Sequence, residues 1–210
     1  NDSIERWTYA SGTELAQQNG VDGYYVRIAP QNGDGASPVD GQIQMKNVSE
    51  RTMVPASSIV SIDALALVRF GLRAPNDQRI LNTVRVIDSL LKVNTPNGPC
   101  WHRYNHDGYG EHEDGSPFDG TGIGRAWPLL TGERAHYELA AGRETEARKL
   151  LHAMEAFSSD GGMIPEQIWD SPDIPAQALF FGRPTGSGMP LVWASRFRGR
   201  RRLRREMLHL

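Results

Sequence analysis

The chain is 210 residues long, 39% hydrophobic and 23% charged, with 23 Lys+Arg against 25 Asp+Glu. That length suits one domain, and that apolar share excludes a chain too polar to bury a core. The single cysteine, Cys100, excludes a disulfide framework or a Cys-rich zinc site, and no run approaches the ~18 consecutive apolar residues of a membrane span.

The predicted elements follow in chain order. Ser3–Gln18 reads as a helix interrupted by Gly12, and Tyr24–Ile28 as a short extended stretch. Residues 29–58 form a long loop rich in Gly, Pro, Asn and Asp. Ser61–Leu72 is apolar nearly all round, broken only by Asp63 and Arg69, and reads as a buried helix. Arg79–Leu91 places Ile80, Leu81, Val84, Ile87, Leu90 and Leu91 on one helical face, with Asn76 and Asp77 suited to its first turn. Trp101–Tyr104 is extended and opens a second long loop over 105–118. Ile123–Leu139 and Glu144–Phe157 close the series as helices, the second with Leu150, Leu151, Met154 and Phe157 on its apolar face.

Three times a predicted helix runs into a Gly-bearing turn and then into large polar and aromatic groups, at Gly20, Gly98 and Gly162. The recurrence of about 70 residues exceeds the ~20–50 of solenoid repeats and fits a helical hairpin plus a long functional loop. Loops gathered at one end of such hairpins are where sites lie. The charge is also unevenly spread. Residues 195–210 hold seven of the Arg and one acid, which leaves 16 Lys+Arg against 24 Asp+Glu, a net of -8, in the body. An acidic body argues against nucleic acid as the main partner.

Three segments carry chemistry. Trp101-His102-Arg103-Tyr104-Asn105-His106-Asp107-Gly108-Tyr109-Gly110-Glu111 sets flat rings beside hydrogen-bonding groups. Sugars need both, rings for their C–H faces and bidentate polar groups for their hydroxyls. An ordinary aromatic loop is the plainer alternative, and His102, His106 and His112 lack metal-ligand spacing. Gly120-Thr121-Gly122-Ile123-Gly124 lacks a preceding strand and the third-glycine spacing of a dinucleotide loop. A helix start with close backbone approach explains it better. Asp160-Gly161-Gly162-Met163-Ile164-Pro165-Glu166-Gln167 displays Glu166 on a short loop after a helix, as a general base needs. A surface Glu is the alternative. Cys100 reads as a small buried group.

GPCWHRYNHDGYGEHEDGSPFDGTGIGRAWPLLTGERAHYELAAG, GGMIPEQIWD and GRPTGSGMPLVWA together resemble the glucoamylase / glucodextranase family of glycoside hydrolases, family 15, in its bacterial branch. The resemblance covers about residues 1–194 and includes SPVDG and SIDALALVRFGLR. It implies an all-α fold, a partial (α/α)6 barrel of helical hairpins with long loops and short β segments, here about the C-terminal half of the catalytic domain. It implies an inverting, exo-acting hydrolase that releases glucose from the non-reducing ends of an α-linked gluco-oligosaccharide or glucan. Glu166 matches the family's general base, Arg103 the Arg that binds hydroxyls of the terminal glucose, and Trp127 a cleft tryptophan, with Tyr104 as neighbour. No segment matches the family's general acid, since Glu111 and Glu113 lie in the wrong motif.

The acid is therefore expected in an N-terminal part, the chain's partner within the same domain. The opening Asn1-Asp2-Ser3, with no Met and no leader, agrees with a processed product or a piece of something longer. No cofactor is implied; the resemblance leaves calcium open, but no EF-hand-type ligand run for it is present. Residues 195–210 depart from the family and read as a frameshifted or mis-assigned end, or as a basic arm for an acidic partner. A non-catalytic glucan-binding piece and a basic-tail interaction module are the rival functions, and both α-1,4 and α-1,6 linkages stand.

Overall fold

The computed structural model describes residues 3–30 and 38–195. The Arg-rich segment 196–210 lies outside them. In chain order the regular elements are α1 (Ser3–Thr8), β1 (Tyr9–Ser11), α2 (Glu14–Gln18), β2 (Gly23–Tyr25), β3 (Gln42–Gln44), β4 (Met53–Pro55), α3 (Ala66–Arg69), α4 (Gln78–Leu90), β5 (Lys92–Thr95), β6 (Gly98–Trp101), α5 (Pro128–Ala140), α6 (Glu144–Ala156) and α7 (Val192–Ser195). Helices supply the packed layer, and the strands pair as small antiparallel hairpins, β1 with β2, β3 with β4 and β5 with β6. The expectation of helices with short β segments thus holds. Among the described residues no helix is long and apolar enough to cross a membrane.

Helix α4 forms where the periodicity places it. Asp77 caps it, its side chain accepting the Arg79 N–H at 2.9 Å, a contact worth roughly 1 kcal/mol. Its buried face is rotated from the expected one. Ile80, Thr83, Val86 and Ile87 are buried, while Leu81 and Leu90 are exposed. The rotation has a polar cause: Thr83 Oγ1 accepts the Tyr25 N–H at 2.9 Å, which docks β2 on that side of the helix.

Helices α5 and α6 make a hairpin through three residues. Gly142 takes φ +72, and the N–H groups of Gly142 and Arg143 close back on the carbonyls of Leu139 and Glu138, the double bond that ends a helix at a left-handed residue. Leu130 and Tyr137 of α5 and Leu150 of α6 enter the main core with Val86 and Ile87 of α4. Burying each such aliphatic side chain stabilises by ~1.5–3 kcal/mol. Arg134, nearly buried on α5, pairs with Asp88 of α4 and with Glu138 one turn on.

Three expected helices are shorter. Over 61–72 the chain makes a 3-10 turn at Ile62–Leu65 and then only α3; Gly71 takes φ +69 and ends it, leaving Phe70 exposed. Over 3–18 the helix is split by β1, because Tyr9–Ser11 pairs with Gly23–Tyr25. Over 123–139 the helix starts only at Pro128, a favoured first helical position. Residues before it are extended: the Trp127 N–H donates to the Trp101 carbonyl and the Ala126 N–H to Asp170 Oδ2, both at 2.8 Å.

Gly20 and Gly162 do follow helices with positive φ, but Gly98 sits in the β5–β6 hairpin. A Cβ there would run into Ala153 of α6. That hairpin delivers Trp101 into the core and aims the 102–111 loop beyond it.

Candidate active site

The 102–111 loop is fastened by its own side chains. Asn105 Oδ1 accepts the Val60 N–H at 2.9 Å and its Nδ2 donates to the Ser58 carbonyl at 2.8 Å, so the side chain acts as a strand partner. His106 adopts φ +61, a left-handed turn that brings Asp107 back over Arg103. Arg103 donates Nε and Nη2 to Asp107 at 2.6 and 2.8 Å. This fork-to-carboxylate pair fixes the guanidinium plane. The Asp107 side chain is 1% exposed and that of Arg103 32%. The Arg103 guanidinium lies over the Tyr109 ring at 4.9 Å, the Trp127 ring at 5.0 Å and the Tyr104 ring at 5.5 Å.

The Glu166 segment is held by its backbone. The Glu166 N–H donates to the Gly188 carbonyl at 2.8 Å, the Ile168 N–H to Ala126 at 3.0 Å, and the Gln167 N–H to Ser187 Oγ at 3.0 Å. Gln167, itself buried, donates its amide to the Tyr109 carbonyl at 2.9 Å. The side chain of Glu166 is thereby left half-buried at a rim. Its Oε2 lies 3.4 Å from the Tyr109 hydroxyl, which donates to it. Burial first, and then the Glu166 carboxylate, push the Tyr109 phenol above its ordinary value. It therefore stays protonated and remains a donor.

Of the expected site residues, Arg103, Trp127 and Glu166 converge on one ring, Tyr109. Its centroid is 6.2 Å from that of Trp127, and Phe118 packs edge-on at 5.0 Å. Trp127 is buried, and its indole N–H has no partner among the described residues. Tyr104 sits elsewhere. It is buried in a cluster with Met45 and Ile59, with Arg27 stacked on its ring at 4.0 Å. Its link to the site runs through Asp107 and the Arg103 guanidinium. The sequence presents Tyr109 and Asp107 in the same loop motif with no role marked for either. A half-buried Arg needs a carboxylate, and Asp107 is its nearest in the loop. No comparable local signal pointed from Tyr109 to Glu166, 57 residues away.

Beneath this surface lies a second charged group. Asp170 accepts from Arg125 Nη1 at 3.1 Å and the Ala126 N–H at 2.8 Å, and pairs with His102 at 3.2 Å. Burial raises the Asp170 carboxyl, but the hydrogen bond and charge of His102, with the charge of Arg125, outweigh it and hold the carboxyl below its ordinary value. Arg125 also donates to Ser171 Oγ and to the Glu111 and His112 carbonyls, and stacks on Trp169 at 4.1 Å. This cluster ties the loop bearing Arg103 to the loop bearing Glu166.

Within the Gly120–Gly124 run, Gly122 and Gly124 serve close packing, while Gly120 takes φ +112 beside open space. A Cβ on Gly122 would meet the Gly110 carbonyl, and one on Gly124 the Asp107 side chain 2.6 Å away. The helix that follows starts four residues later, at Pro128. His112 faces Asp119 and His102 faces Asp170, so these two loop histidines have different carboxylate partners. Among the described residues no group of three His, Cys, Asp or Glu is gathered to hold a metal. Cys100 is fully buried, and burial pushes its thiol up to about 12.

The sequence of the chain matches the family model of glycosyl hydrolases family 15 over residues 2–181. It is 43% identical over 191 residues to a glucoamylase of Clostridium sp. (strain G0005), covering 91% of this chain and 24% of that protein. The fold aligns with the crystal structure of a bacterial glucoamylase complexed with acarbose at a TM-score of 0.79 and 42% identity, covering 94% of this chain and 26% of that one. The chain thus spans about a quarter of the length of each. A match across most of the chain, with Arg103, Trp127 and Glu166 gathered around one ring, places this chain in glycosyl hydrolase family 15.

Proposed function

We propose that the chain forms the base-bearing part of an inverting, exo-acting α-glucan hydrolase that releases glucose from non-reducing ends. The single observation behind this reading is the geometry around Tyr109. A half-buried carboxylate, a clamped guanidinium and an indole whose buried N–H has no partner among the described residues are gathered around its ring. The similarity to glucoamylases, one of them crystallised with acarbose, supports the substrate class.

In this reading Glu166 takes a proton from water as that water attacks the anomeric carbon, and the bond to the leaving oxygen breaks on the opposite face. A general acid from a part of the domain beyond this chain protonates that oxygen. Inverting carboxyl pairs stand ~6.5–9.5 Å apart to admit the water. Tyr109 orients the Glu166 carboxylate. Arg103 holds hydroxyls of the terminal glucose with the N–H groups that Asp107 leaves unused, while Tyr104 supports the guanidinium from below. Trp127 offers a ring face and an N–H donor. Its α5–α6 hairpin and the loops at its end correspond to part of an (α/α)6 barrel.

The reading is tested by following maltose hydrolysis by the full-length enzyme with proton NMR. The first-formed glucose should be the β-anomer, released one unit at a time from longer substrates. Initial α-glucose, or internal cleavage, contradicts it.

A further inference from the structure

Arg103, Trp127 and Glu166 sit on neighbouring stretches of chain, and one buried carboxylate gathers those stretches. Trp101 bridges Trp127, and Ala126 bridges Ile168, as antiparallel neighbours. Asp170 lies on the same short stretch as Glu166, four residues further on. Its Oδ2 accepts the Ala126 N–H at 2.8 Å and faces His102 Nε2 at 3.2 Å. Ala126 directly precedes Trp127, and His102 directly precedes Arg103. A single oxygen therefore holds the residue next to each of two site side chains, and its own residue shares a segment with the third.

His102 has no part in the mechanism above. Its backbone N–H donates to the Leu91 carbonyl, at the end of α4, at 2.9 Å. Its side chain is 26% exposed, against 4% for that of Asp170. An ionised carboxylate only accepts, so Nε2 is the donor of the pair. The contact passes from the Arg103 stretch to the Glu166 stretch across the middle one. Arg125 joins the same two segments at the far end of the 102–111 loop, through the Glu111 and His112 carbonyls. His102 joins them beside Arg103 itself. The Asp107 clamp fixes the guanidinium within its own loop but does not set the distance of that loop from Glu166. Such distances govern rate, since a displacement on the order of 1 Å between groups acting on one substrate can cost ~100-fold.

We propose that His102 is a positioning residue: through Asp170 Oδ2 it sets the place of Arg103, which holds the terminal glucose, relative to Glu166, which activates water. This role rests on the glucan-hydrolase reading and adds to it a residue that acts through others rather than on the sugar.

Steady-state maltose hydrolysis by the full-length enzyme tests it, with the anomer of the first-released glucose recorded for the wild type. His102→Ala removes the donor. It should lower kcat about tenfold or more with KM within about threefold, because the sugar still binds at Arg103 but is misaligned to Glu166. His102→Gln places a side-chain N–H near the position of Nε2, and should recover kcat to within about threefold of wild type. Should His102→Ala not fold, His102→Phe keeps the bulk of the ring without the donor and should show the same loss of kcat. A role confined to folding predicts a lower unfolding midpoint with the kcat of the folded enzyme unchanged, and that result overturns the proposal. A loss lying in KM alone overturns it too, as does a His102→Gln enzyme no faster than His102→Ala. Each of these leaves the hydrolase reading standing when the wild type releases β-glucose. Initial α-glucose from the wild type overturns the hydrolase reading and the role of His102 with it.

Discussion

Arg103 and Arg125 face the same kinds of partner, an aspartate and an aromatic ring, and the difference between them separates site from scaffold. The Arg125 side chain is 1% exposed; Asp170, Ser171 and two loop carbonyls take up its terminal nitrogens. Arg103 is one-third exposed, spends two nitrogens on Asp107, and stacks over the rings of Tyr109 and Trp127. A guanidinium whose terminal nitrogens are all consumed, with only a buried Nε left unpaired among the described residues, holds loops together. One that is clamped in plane yet keeps a donor free is prepared for a ligand.

The same substitution at both positions sharpens the contrast. Arg125→Lys loses the fork that joins Asp170 to the 111–112 carbonyls, and should lower unfolding free energy in urea by about 3 kcal/mol, since a broken buried pair costs ~3–5. The kinetics of the surviving folded enzyme should change little. Arg103→Lys keeps charge but loses the planar fork, and should cut kcat/KM by about a hundredfold while costing only about 1 kcal/mol of stability. Equal stability losses with equal activity losses would break the distinction.

Asp170→Asn tests the scaffold through pH. Replacing the carboxylate should cost about 2 kcal/mol at pH 7. Because the Asp170 carboxyl is held below its ordinary value in the fold, its contribution is complete above the unfolded value and fades as pH falls through the folded one. The stability gap between the wild type and Asp170→Asn should therefore close below about pH 4. A gap that stays constant into acid contradicts the ion-pair assignment. The smallest effect belongs to Tyr109→Phe. It removes one long hydrogen bond to Glu166 and should lower kcat three- to tenfold, about 1 kcal/mol, with KM nearly unchanged. A change confined to KM would make Tyr109 a binding surface only.

Local patterning made α4 and α6 legible, because both carry a helical stripe and a clear stop. It failed where tertiary contacts decide conformation. Ser61–Leu72 is apolar enough for a buried helix, yet Gly71 turns it and Phe70 ends up outside. Residues 124–127 are drawn straight by Trp101 and Asp170, partners far along the chain. The β5–β6 hairpin hid behind Pro96 and Pro99, which the sequence presents only as a turn. In the site, Arg103, Trp127 and Glu166 were legible as candidates because the family resemblance runs through their motifs. Tyr109 and Glu111 stand in one of the same motifs, but nothing local pointed to their partners Glu166 and Gly186, 57 and 75 residues away.

The claim on which the account turns is that Glu166 activates water. Replacing it with Gln in the full-length enzyme preserves size and hydrogen bonding but removes the base. Maltose turnover should fall ~10²–10⁴-fold, while a glucose-like inhibitor binds within about threefold of wild type, a difference under 1 kcal/mol. Turnover close to wild type in a folded Glu166→Gln enzyme would contradict the assignment.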